Sequence, residues 1–147
     1  MFKFLTGLLA DPHPKPLTAD DADLALAALL VRLARADDRY DEDERFHIDQ
    51  VLCARSGLSQ AEAAELRARA EALEAEAPDT VRFTRALKDK IAWEDRIGVI
   101  EALWQVALAD DARNPEEDAL IRLAARLLGV SDRDSGLARQ RVAAGPA

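Results

Sequence analysis

A single cysteine, Cys53, stands in a chain of 147 residues. That excludes an intramolecular disulfide framework and leaves the redox compartment open. Glycine and proline are scarce, at six each. With Ala, Leu, Arg, Glu and Asp dominant, this composition is that of a helical globular protein, and the length is that of one domain able to bury its own core. No apolar run approaches the roughly 20 residues that a spanning helix needs. Positive charge is in deficit: 20 Lys and Arg against 28 Asp and Glu leave a net charge of −8. A nucleic-acid binder needs a cationic footprint, so that class is excluded, whereas an anionic surface suits a cation or a basic patch on a protein partner.

What is present is a pair of matching acidic steps. Residues 36–48 read "ADDRYDEDERFHI" and residues 109–121 read "ADDARNPEEDALI". Each follows a segment that is apolar almost all round, residues 22–36 and 96–109, and such helices are buried on most sides. These two are expected to be the central pair of an all-α domain. Asn114, Pro115 and Glu117 read as an N-cap, a proline at the first helical position and a glutamate at the third, and Asp41 and Glu44 take equivalent places. Further on, "GLSQAE" at Gly57 and "GVSDRD" at Gly129 each combine a left-handed helix end with a serine cap.

The order helix, acidic turn, helix, Gly-x-Ser, helix therefore occurs twice. Leu24 aligns with Ile97, Leu30 with Leu103, Asp37 with Asp110, Asp38 with Asp111, Glu44 with Glu117 and Ile48 with Ile121. A one-residue slip intervenes before the Gly-x-Ser step. The pattern is that of an internally duplicated helical hairpin, in a bundle of about seven to eight helices.

Residues 61–77 read as a solvated helix with Glu65–Arg69 and Arg67–Glu71 pairs four apart. Pro78-Asp79 starts another helix, and the break near residues 91–94 has no Gly or Pro to mark it. His47 reads as a core-edge side chain, Cys53 as a small, largely buried hydrophobe, and Trp93 and Trp104 as packing residues.

The blocks "LARADDRYDEDE" and "WEDRIGVIEALWQVALADDARNPEEDALIRLAARLLGVS" resemble the TerB-like family associated with bacterial tellurite resistance. The family's turn has Asp, then Gly, then a Glu at the next helix start. Asp37 and Asp110 match the Asp, and Glu44 and Glu117 the Glu, while Asp38 and Asp111 stand where Gly is expected. The resemblance implies an all-α bundle, a role in stress-response complexes and divalent cations at the acidic turns, with no known catalytic reaction.

Two readings of the acids follow. In the first, they are helix caps, because anions at a helix N-terminus are stabilising; this accounts for Asp41, Glu44, Asn114 and Glu117. It does not account for Asp37 and Asp110, which follow helix C-termini where the dipole disfavours an anion. In the second reading, Asp37, Asp38, Asp41, Glu44, Asp110, Asp111 and Glu117 present an all-oxygen set suited to Ca²⁺, Mg²⁺ or Mn²⁺. The spacing is not that of an EF-hand.

Catalytic parts are missing: no His–Ser or His–Cys pair that the repeat would bring together, no glycine-rich phosphate loop and no H-E-x-x-H. A non-catalytic module is expected. Residues 1–17 are expected to form an amphipathic arm and proline-rich hinge, with Phe2, Phe4, Leu5, Leu8 and Leu9 ahead of Pro12, Pro14 and Pro16. The domain is expected over 18–142, with a frayed tail at 143–147. The arm either folds back onto the bundle or contacts a membrane surface or partner through residues 1–9. In that second case the protein is a scaffold recruited by its arm, and the acids serve only as caps. The arm lacks a secretory h-region, so a cytoplasmic location is expected, with a protein partner.

Overall fold

The computed structural model describes residues 21–36, 40–109 and 114–145. Over these residues the fold is all-α: α1 (Ala22–Arg35), α2 (Glu42–Ser56), α3 (Gln60–Glu76), α4 (Val81–Lys90), α5 (Trp93–Ala107), α6 (Pro115–Leu128) and α7 (Asp132–Ala144). The arm (residues 1–17) lies outside the described residues. No helix among those described is long and apolar enough to cross a membrane.

The helix order follows the duplicated pattern. α1, α2 and α3 are repeated by α5, α6 and α7, with α4 inserted between the copies. Each copy ends its middle helix on a glycine in the left-handed region, Gly57 at φ 67° and Gly129 at φ 78°. Only glycine takes that conformation at no steric cost. Ser59 and Ser131 then cap α3 and α7, accepting the N–H groups of Glu62 and Asp134 at 3.1 and 3.0 Å. The one-residue slip has a simple origin, because α2 has 15 residues and α6 has 14.

α1 is one of two central helices. Leu24, Leu26, Leu29, Leu30 and Leu33 are fully enclosed, and α2, α3, α4, α5 and α6 all pack on it. Its sequence twin α5 is likewise packed on by five helices, α1, α2, α4, α6 and α7, as expected of the central pair. α5 buries Val99, Ile100, Leu103 and Val106, but its N-terminal turn faces outward, as does Gln105. Trp93 is 46% exposed, so it is not a packing residue in the way Trp104 is, at 8%. The unmarked break before α5 is made by two extended residues. Ile91 turns its side chain into the core at φ −122°, ψ 148°, and Ala92 starts α5 with no side-chain cap. Burial of one isoleucine does there what glycine or proline does elsewhere.

Candidate functional site

The first halves of α2 and α6 carry the predicted acids. Asp41 is the exposed N-cap of α2, and its Oδ1 accepts the Glu44 N–H at 3.0 Å. Asn114 does the same for α6, its Oδ1 accepting from the N–H groups of Glu116 and Glu117 at 2.8 and 3.2 Å. The capping roles read from the sequence are therefore present. Glu44 and Glu117, at the third helical position, are the least exposed acids of their first turns. Glu42, Asp43 and Glu116 face solvent, whereas Glu44 is half-buried and Glu117 is 5% exposed. Both are engaged in interactions of their own. Asp37, Asp38, Asp110 and Asp111 lie outside the described residues, and among the described residues no group of three or more Asp, Glu, His or Cys is arranged to hold a metal.

Beside the first acidic turn lies a charged network that the sequence pattern understated. Arg67 of α3 donates from Nε and Nη2 to the two Asp49 oxygens, at 2.7 and 3.3 Å, and from Nη1 to Glu71 at 3.1 Å. Glu71 also accepts from Arg45 at 3.2 Å and from the Tyr40 hydroxyl. Arg35 and Arg45 lie over the Tyr40 ring at 5.0 and 4.9 Å. Arg35 and Arg32 in turn bind Glu74, and Arg32 reaches the Ala77 carbonyl at 2.7 Å. Burial pushes the Glu71 carboxyl up, but the Tyr40 hydroxyl and the guanidinium groups of Arg67 and Arg45 outweigh it and hold it below its ordinary value. Arg67–Glu71 is thus part of a half-buried network joining α1, α2 and α3. Glu65–Arg69, at 3.0 Å, remains the solvated pair expected.

The remaining candidates have structural occupations. The Ser56 hydroxyl donates to Asp23 Oδ1 at 3.0 Å in the interior. The Trp104 indole N–H donates to the Ser135 hydroxyl at 3.2 Å. His47 is half-buried beside Phe46, and Cys53 is half-buried against the core, where burial pushes its thiol up. A buried acid at position 23 was not anticipated, although Asp23 and Arg96 are repeat equivalents. Arg96 donates to the Leu128 carbonyl at 3.3 Å, as Asp23 meets Ser56 in the first copy.

The fold over the described residues defines a small all-α helical-bundle domain. Among families, the model of the tellurite resistance protein TerB matches residues 23–140. The chain belongs to the TerB family. No curated protein and no solved structure matches it significantly.

Proposed function

We propose that the chain is a non-catalytic TerB-family module whose two acidic turns bind a divalent cation, or a basic partner surface, within cytoplasmic stress-response assemblies. The observation that carries the reading is the shared placement of Glu44 and Glu117. Each is the least exposed acid of its helix's first turn, at the same position in both copies. Side chains near a helix start lean toward its N-terminus, and so toward the acidic turn. Each of the two glutamates already has an interaction of its own, and a hard divalent cation takes several oxygen ligands at once, so an ion at each turn would gather the glutamate with Asp37 or Asp110. The donor set is oxygen only, which fits Ca²⁺, Mg²⁺ or Mn²⁺. Together the acids are Asp37, Asp38, Asp41 and Glu44 in one turn, and Asp110, Asp111 and Glu117 in the other.

Thermal melts in EDTA, Ca²⁺, Mg²⁺ and Mn²⁺ test this. A ligand that binds only the folded state raises the melting temperature with its concentration. The wild type is expected to shift at millimolar ion, and Asp37→Asn combined with Asp110→Asn to lose the shift. No shift in the wild type, or an equal shift in the double variant, overturns the reading.

A further inference from the structure

The two halves of the repeat treat one arginine in opposite ways. Arg67 of α3 and Arg139 of α7 are equivalent when Ser59 is aligned with Ser131, an alignment that also pairs the buried Ala63 with Ser135 and Leu66 with Ala138. Arg67 Nε donates to Asp49 of α2 at 2.7 Å. Asp49 follows Ile48, and at the matching place in α6, after Ile121, stands Arg122. The second copy therefore keeps the arginine and replaces its carboxylate partner with a second arginine. Arg139 Nε is buried with no hydrogen-bond partner, and its guanidinium lies 5.3 Å over the Trp104 ring.

The consequence is a cavity of about 300 Å³ between α6 and α7, lined by Arg122, Arg126 and Arg139 with Trp104 and Ser135. That volume is at the lower end for ligand pockets. Among the described residues none of the three arginines forms an ion pair. Asp118 and Asp132 also border the cavity, and Asp118 has an interaction of its own. The corresponding groove between α2 and α3 is lined by Glu42, Arg45, Asp49, Arg67 and Glu71, and both of its arginines are paired with Asp49 or Glu71. In one groove acids outnumber the arginines and pair with them, and in its twin three arginines outnumber two acids, in a chain whose net charge is −8.

We infer that the cavity between α6 and α7 binds a small phosphate-type oxyanion, free or as a phosphomonoester, in the place where the first half of the repeat uses its own Asp49. Guanidinium groups present planar forks of donors that match phosphate oxygens. A dianion with three peripheral oxygens serves more of these donors than a carboxylate does. The buried Arg139 Nε gains the acceptor that its twin already has.

The test follows melting temperature and Trp104 fluorescence, in a Trp93→Phe background, during titration with inorganic phosphate at constant ionic strength. Arg122 and Arg126 are exposed, so Arg122→Gln with Arg126→Gln preserves the fold. Arg82→Gln with Arg85→Gln, on the exposed face of α4, controls for net charge and for the general stabilising effect of phosphate salts. A saturable response is expected in the background protein and in the α4 control, and not in the α6 variant. Arg122→Asp, which restores the first-half arrangement, is expected to raise the melting temperature without phosphate and to abolish the phosphate response. Phosphoserine titrated in parallel assigns the group to an ester if it binds more tightly, and to the free ion if inorganic phosphate does. No saturable response in the background protein, an equal response in the α6 variant, or acetate acting as well as phosphate overturns the inference.

Discussion

Asp23 is a carboxyl group held against its chemistry, 2% exposed and met by one hydroxyl. Burial pushes its pKa from the ordinary 3.8 up to about 7, against the Ser56 hydroxyl, which lowers it, and with a smaller push from Asp21. Between those two values the folded protein holds a proton that the unfolded chain releases. Stability is therefore greatest below pH 3.8 as far as this group is concerned, falls as pH rises, and is fully reduced above about 7. The slope inside the window is about 1.4 kcal/mol per pH unit. Asp23→Asn keeps an acceptor for Ser56 and removes the charge. Denaturant titrations across the window should show a flatter pH dependence and a more stable protein above pH 7; an unchanged slope would contradict the assignment. This residue was not legible in the sequence, because alternation of apolar and polar positions does not say which acid the neighbouring helices enclose. Trp93 was misjudged for the same reason. Asp41, Asn114, Ser59 and Ser131 were legible, because caps satisfy backbone groups a few residues away.

At the scale of the helix, Gly129 and Gly136 separate backbone strain from packing. Gly129 ends α6 at φ 78°, and a β-carbon there would meet nothing within 4 Å. Gly129→Ala should therefore destabilise by the backbone penalty alone, about 1–2 kcal/mol. Gly136 lies inside α7, with equally open space around a new β-carbon. Gly136→Ala should stabilise by about 0.5–1 kcal/mol, since glycine in a helix interior forfeits conformational entropy. Chemical denaturation of both variants checks the opposite signs. The hairpin order was readable because glycine, serine and proline punctuate it locally. The α4–α5 break was readable only as an uncertainty in the periodicity, since the inward turn of Ile91 depends on the core it enters. The network of Tyr40, Arg45, Asp49, Arg67 and Glu71 joins residues far apart in sequence, and spacing along one helix revealed only its Arg67–Glu71 edge.

For the whole molecule, stability converges on the central helices, α1 among them. Leu29 is fully enclosed on a helix that five others surround. Leu29→Ala should cost about 2–5 kcal/mol, and the resulting drop in melting temperature should exceed that of Leu123→Ala, whose side chain is exposed. Around that helix the duplication has diverged. The first copy pairs both arginines of its α2–α3 groove with acids, and in the second the three arginines of the α6–α7 groove outnumber its two acids, while both keep their least exposed first-turn acid at the same position. The family was legible from the two acidic blocks, since they carry the pattern that the TerB match spans over residues 23–140.

Calorimetric titration with Ca²⁺, Mg²⁺ and Mn²⁺ tests most directly whether the two turns are equivalent cation-binding elements. The wild type should take up one ion per turn, Asp37→Asn with Glu44→Gln should lose one of them, and adding Asp110→Asn with Glu117→Gln should lose the other. Heats that stay the same across all three proteins, or that are absent from the wild type, would contradict the proposed binding.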